Sequence, residues 1–199
     1  MLDTHARKYV QPAFNCVGKK LVKIGITPIQ ITLSAFIIGI VACINIYLGY
    51  SIAAVALLWI SGILDALDGT VARLKGKSSK LGAFMDITFD RMIEIGIIIA
   101  MAFLDPTVSQ MLVVLTGTIV LSISIFLTVA SLAKNTGKKS FYYQAGFAER
   151  TEGFIFFTLM ILIPGYRITI GYIYAAAILF TAGQRYVQAI HILREQNKD

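Results

Sequence analysis

Apolar residues run through this chain in six blocks: Ile29 to Leu48, Ile52 to Leu74, Leu81 to Leu104, Thr107 to Ala133, Gly153 to Ile163 and Ile168 to Ile192. Turn-forming or polar stretches separate them at Gly49-Tyr50-Ser51, Gly76-Lys77-Ser78-Ser79, Asp105-Pro106, Lys134 to Ala148 and Pro164-Gly165. A spanning helix needs about 20 mostly apolar residues, so the pattern predicts six transmembrane helices, of which the fifth has the shortest apolar run. Ahead of them, Ala6, Tyr9, Val10, Ala13, Phe14, Val17, Leu21 and Ile24 recur at three- and four-residue steps, while Arg7, Lys8, Lys19, Lys20 and Lys23 fall largely elsewhere. That is the pattern of an amphipathic helix lying in the interface of an anionic leaflet; the alternative is a soluble arm packed on the bundle. No repeat, Gly/Ser linker or low-complexity run divides the chain. The expected fold is an all-α integral membrane domain over residues 1–199, with the interfacial helix at 1–25 and six transmembrane helices at 26–199.

Composition agrees. The 199 residues are 57% hydrophobic with mean hydropathy +0.74, above the roughly 45–50% apolar share of soluble domains. The net charge of +7 does not point to nucleic acid, because the basic residues sit in the gaps between apolar blocks rather than in one aromatic-laced patch. Arg7, Lys8, Lys19, Lys20 and Lys23, then Arg73, Lys75, Lys77 and Lys80, then Lys134, Lys138, Lys139 and Arg150, with Arg194 and Lys198, all mark one side; the opposite loops hold Arg167 alone. By the positive-inside rule both termini are expected in the cytoplasm of a multi-pass cell-membrane protein. Cys16 and Cys43 lack metal or disulfide spacing, and His5 and His191 lack neighbouring ligand types. The N-terminus has no signal-peptide pattern, so no cleavage is expected.

Against this background four acids are out of place: Asp65, Asp68, Asp86 and Asp90, all inside apolar blocks. A carboxylate in hydrocarbon costs about 2.5–3.5 kcal/mol even on lenient insertion scales. Spacings of three and four put each pair on one helix face, and the short connection between the two helices predicts antiparallel neighbours packed together. Counted at 1.5 Å per residue, both pairs lie on the order of 10–15 Å from the turn between them. Four carboxylates with no thiol or imidazole nearby suit Mg²⁺ or Mn²⁺. Two ions fit better than one, since four carboxylates around a single ion leave excess negative charge, and a two-ion site suits phosphoryl transfer. Gly69 clears backbone beside Asp68, and Arg73 lies one turn on, able to fork onto phosphate. Helix packing and snorkelling are the structural alternatives for these two residues. Glu94 follows Asp90 by one turn beside Arg91, which predicts a pairing role for that acid.

Asp65-Ala66-Leu67-Asp68-Gly69-Thr70-Val71-Ala72-Arg73, with Gly82, Asp86 and Asp90, fits all eight fixed positions of D-x2-D-G-x2-A-R-x8-G-x3-D-x3-D. The chain thereby resembles the CDP-alcohol phosphotransferase (phosphatidyltransferase) family of phospholipid-synthesis enzymes, and the resemblance extends to the amphipathic helix and six-helix architecture. It implies that Asp65, Asp68 and Asp86 hold metal, that Asp90 completes the site and acts as base on the acceptor hydroxyl, and that Gly69 and Arg73 contact a CDP-linked lipid donor. Ile29-Gln30-Ile31-Thr32 occupies the place of a family segment near the nucleotide, and Ser79 and Ser131 are assigned to the donor on the same ground; Pro28 is equally explained as a first helical residue capped by Thr27.

For the acceptor, inositol-phosphate-using relatives carry a lysine at the end of the fourth helix, an E-R-x-E-R segment and an arginine in a G-Q-R segment. Lys134, Arg150 and Arg185 match, whereas Gly153 stands in place of the second arginine. Loss of one cation, whose hydrogen bond to phosphate is worth about 1.5–3 kcal/mol, counts against inositol phosphate and leaves a polar alcohol or another phosphorylated polyol such as glycerol phosphate open. The resemblance also implies a homodimer and a cytoplasm-facing active site. The competing reading is a membrane cation transporter, whose acids would be spread through several helices toward both faces.

Overall fold

The structure, a computed structural model, describes residues 2–76, 79–132 and 150–196, and the described residues are almost wholly helical. Among the described residues seven helices follow in order: α1 (Leu2–Lys23), α2 (Pro28–Tyr47), α3 (Ser51–Leu74), α4 (Lys80–Leu104), α5 (Ser109–Leu132), α6 (Arg150–Leu162) and α7 (Arg167–Gln196), with single 3-10 turns before α5 and α7. Helices α2 to α7 fall on the six apolar blocks. Two compact units make up the chain, Thr4–Val108 and Ser109–Asp199, the latter with Met1–Asp3.

In the first unit the boundaries have local causes. Thr27 caps α2: its hydroxyl accepts from the Gln30 N–H while the Gln30 side chain accepts from the Thr27 N–H, and Pro28 takes the first helical position where no N–H is needed. Gly49 and Gly76 close α2 and α3 with φ of +80° and +62°, a region that costs other residues dearly. Ser79 caps α4 by accepting from Gly82 N–H at 3.0 Å. The Asp105 side chain accepts from Thr107, turning the chain after α4.

Helix α2 is the hub. It packs along both α3 and α4, whereas α3 and α4 lie against α2 rather than along each other. The short α3–α4 connection therefore does not produce the packed hairpin that sequence reasoning expects. Between lipid-embedded helices there is little hydrophobic driving force, and close packing of small residues takes its place. The Ala35, Gly39, Ala42 and Cys43 stripe supplies it. A Cβ on Gly39 would sit 2.4 Å from Ile93 Cδ1 of α4 and 3.0 Å from Ser61 Oγ of α3, so both neighbours close onto α2 at this point. The Ser61 hydroxyl donates to the Ala35 carbonyl at 2.7 Å, and Phe36 stacks on Phe89 at 4.2 Å between centroids.

Gly18 rests α1 on the end of α3, where a Cβ would meet Leu74 Cδ1 at 3.0 Å, while Val10 and Val17 of α1, and Ile24 just after it, stay exposed. Lys75 Nζ donates to the Ile26 carbonyl at 2.7 Å and ties the α1–α2 linker to the end of α3.

In the second unit α7 packs on α5 and α6. A Cβ on Gly171 would lie 2.0 Å from Met111 Sδ, so the methionine fills the space that glycine leaves. Arg167 is buried and donates through Nε to the Met160 carbonyl at 2.9 Å, covering part of the open C-terminus of α6.

Among the described residues, three stretches are long and apolar enough to cross a membrane: α2, α3 and Pro106–Leu132. Helices α6 and α7, bent by 114° at their junction, add a fourth if they form one span. Asp86, Asp90, Arg91 and Glu94 interrupt α4, and α6, with 13 residues, is about 20 Å long, short of a hydrocarbon core of about 30 Å. The chain is an integral membrane protein.

Candidate metal centre and substrate site

Helix α3 brings Asp65 and Asp68 onto one face by their three-residue spacing, and both are buried. Helix α4 contributes Asp86, half-buried. One carboxylate oxygen from each lies within 4.8 Å of the others. Oxygens around one small divalent ion bound at about 2.1 Å lie within about 4.2 Å of one another. The three acids thus stand at near-ligating separation, and an all-oxygen donor set fits Mg²⁺ or Mn²⁺. Asp90, also half-buried, is one turn further along α4 and outside that group of three.

Thr32 of α2 donates its hydroxyl to Asp68 Oδ2, and Thr32 is itself buried. Within the segment assigned to the nucleotide, Ile31 is in the core, Ile29 is exposed and the Gln30 side chain completes the α2 cap. Ser79 likewise caps α4.

Among the described residues, Gly69 has no packing partner that would demand glycine: within 4 Å, a Cβ there would meet only the Arg73 Nη1, at 3.6 Å. Glycine inside a helix costs about 1 kcal/mol relative to alanine, so helix packing does not explain it. Arg73 is exposed and donates to the Thr70 hydroxyl at 3.0 Å, lying back along this same strip of α3. Glu94 pairs with Arg91, as its position beside that arginine suggests.

In the second unit Arg185 of α7 is half-buried against α5. It donates to Ser122 Oγ at 3.3 Å, and its guanidinium lies 5.1 Å from the centre of the Phe126 ring. The Arg150 guanidinium lies 5.8 Å from the Phe154 ring. Ser131 is exposed and donates to the Thr128 carbonyl at 2.8 Å. Lys134 falls outside the described residues. Gly153 is buried against α7, where a Cβ would lie 2.7 Å from the Tyr174 hydroxyl. Tyr174 is in turn held between Phe156, stacked at 4.8 Å, and Phe157, edge-on at 5.5 Å. Sequence reasoning missed Ser122, Phe126 and Tyr174, because each sits in an apolar block with nothing local to distinguish it.

A sequence model of CDP-alcohol phosphatidyltransferases matches residues 25–187. The chain belongs to the CDP-alcohol phosphatidyltransferase family. Among curated members it is similar to the archaetidylinositol phosphate synthase of Pyrococcus horikoshii, 41% identical over 102 residues that make up 51% of this chain and 54% of that protein. The match thus spans about half of that relative's length. With the inner membrane protein YnjF of Escherichia coli it is 33% identical over 180 residues, 83% of this chain and 84% of that one. Its fold is similar to that of the Mycobacterium tuberculosis phosphatidylinositol phosphate synthase crystallised with CDP-DAG bound, with a TM-score of 0.71 at 20% identity over 90% of this chain and 92% of that one. A structure of the same enzyme in complex with manganese and citrate matches with a TM-score of 0.71 at 20% identity over 88% of each chain. The CDP-alcohol phosphatidyltransferase match takes in all four aspartates, Gly69, Arg73 and Arg185, and leaves out the whole of α1.

Proposed function

We propose that this phosphatidyltransferase moves the lipid-phosphate group of a CDP-linked lipid, of the CDP-diacylglycerol or CDP-archaeol type, onto the hydroxyl of a polar alcohol and releases CMP. The observation that carries this reading is the convergence of Asp65, Asp68 and Asp86 beside a helix strip that Gly69 leaves bare. Asp65, Asp68 and Asp86 hold divalent metal, Mg²⁺ or Mn²⁺ and two ions rather than one, with Asp90 completing the site. Bound metal supplies neutralisation of the diphosphate charge and of the charge that develops on the departing CMP.

The chain's own residues do the rest. Gly69 admits the donor close to the α3 backbone, and Arg73 turns from Thr70 to the phosphates, where its fork gives bidentate contacts. Ile29, Gln30, Ile31, Thr32, Ser79 and Ser131 are assigned to the donor side. The acceptor oxygen attacks the phosphorus that bears the lipid; the P–O bond to the CMP phosphate breaks, CMP departs with that electron pair, and the acceptor proton passes to Asp90. Asp90 lies one turn beyond Asp86 on α4, and a carboxylate is the group in the motif suited to take that proton. Lys134, Arg150 and Arg185 bind the acceptor, a polar alcohol or phosphorylated polyol. The named relatives make inositol phosphate the first acceptor to try, with Gly153 weighing against it and glycerol phosphate tested beside it as another phosphorylated polyol.

The same reading places residues 1–199 in one functional domain with six membrane crossings, both termini and the active site on the cytoplasmic side, α1 in the interface, and a homodimer as the assembly. The exposed Val10, Val17 and Ile24 support the placement of α1. The test is CMP release by purified protein given CDP-diacylglycerol or CDP-archaeol and a panel of alcohols, with and without Mn²⁺. Metal-dependent release with at least one acceptor is expected. No release with any pair, from protein shown to be folded, would overturn the reading.

A further inference from the structure

We propose that Thr32 is a positioning residue for the metal centre: its hydroxyl fixes the carboxylate of Asp68 in the orientation that brings it to Asp65 and Asp86. The inference rests on the metal-centre reading above and moves Thr32 from the nucleotide segment to the support of a ligand.

Thr32 has two acceptors within reach, Asp68 Oδ2 and the Pro28 carbonyl four residues back at 3.0 Å. Back-bonding to the preceding turn is the ordinary fate of a helical threonine. A hydroxyl has one proton, however, and a hydrogen bond to an ionised acceptor is roughly twice as strong as one between neutral groups. The Pro28 carbonyl is also the one that the Thr32 N–H reaches in the regular helical ladder, so it is the acceptor with less to lose. The proton therefore goes to Asp68. Both residues are buried, Thr32 at 4% and Asp68 at 8% exposure, so water competes little for that bond.

The bracket that carries Thr32 is itself held in place. The reciprocal cap between Thr27 and Gln30 fixes the first turn of α2, and Lys75 Nζ pins the Ile26 carbonyl just before it. Lys75 follows the last residue of α3, the helix that carries Asp68, so the same two elements are tied at both the linker and the carboxylate. Farther along, Ser61 binds Ala35 at 2.7 Å. A carboxylate that must present one oxygen to a metal gains from such a partner, and loss of outer partners typically costs about 10- to 100-fold in metal affinity or activity.

The experiment is a Mn²⁺ titration of the full-length protein in detergent, followed by the free-ion EPR signal, for wild type, Thr32→Val, Thr32→Ser and Asp68→Asn. Valine keeps the shape and loses the donor, whereas serine keeps the donor. The expected result is a Kd raised about tenfold or more by valine, near wild type for serine, and raised most by Asp68→Asn. Should the valine variant fail to fold, Thr32→Ala is read in the same titration. Unchanged Mn²⁺ affinity in the valine variant, with Asp68→Asn weakened, overturns the role of Thr32. A raised KM for the CDP-lipid at unchanged Mn²⁺ affinity also overturns it, because Thr32 would then be a nucleotide contact. Unchanged affinity in Asp68→Asn instead removes the metal reading beneath it.

Discussion

The Tyr174 hydroxyl stands where a side chain at Gly153 would begin, 2.7 Å from the position of the missing Cβ. The next nearest atom of the tyrosine, Cζ, is 3.6 Å away, which is ordinary contact. Gly153→Ala is therefore expected to destabilise the protein by about 1–3 kcal/mol through overpacking. In a Tyr174→Phe background the same change should be neutral or stabilising, since alanine exceeds glycine in helix propensity by about 1 kcal/mol. A double-mutant cycle on thermal unfolding reads the coupling. The same contact means that Gly153→Arg, the change that would rebuild the E-R-x-E-R segment, lowers stability before it can offer a cation to any acceptor.

Gly69 gives the opposite sign. Among the described residues only the far end of the Arg73 side chain approaches it, so Gly69→Ala should raise the stability of α3 by up to about 1 kcal/mol, yet raise the KM for the CDP-lipid because the methyl group intrudes on the strip kept bare for the donor. Thermal unfolding and donor kinetics on one preparation check both. A stabilised variant with unaltered donor KM would return Gly69 to a structural role.

Asp90→Asn should leave Mn²⁺ binding by Asp65, Asp68 and Asp86 largely intact while CMP release falls by about 10²-fold or more, the scale of lost general-base catalysis. Paired EPR titration and turnover separate the two effects. Equal loss of both would make Asp90 chiefly a ligand.

Much of this was legible in the sequence, and the reasons are local. The ends of α2 and α4 are written in Thr27-Pro28 and Ser79, and the turns in Gly49 and Gly76. The pairing of Asp65 with Asp68 follows from helix periodicity alone. What the sequence does not display is contact between distant residues of unremarkable type. Thr32 and Asp68 are 36 positions apart, Ser122 and Arg185 are 63 apart, and Tyr174 meets Gly153 only because α6 and α7 pack together. The adjacency of α3 and α4 misled for a related reason. A short connection limits how far apart two helices start, but the small-residue stripe of α2 decides what each packs against.

The proposed function stands or falls with Asp65, Asp68 and Asp86 as the metal centre of a CDP-lipid transferase. Anomalous diffraction from crystals grown with Mn²⁺ and CDP tests it most directly. Manganese is expected within about 2.1–2.2 Å of oxygens from all three carboxylates, with the CDP phosphates on the same ions beside Gly69. Manganese bound elsewhere, or CDP bound with the three acids unligated, would contradict it.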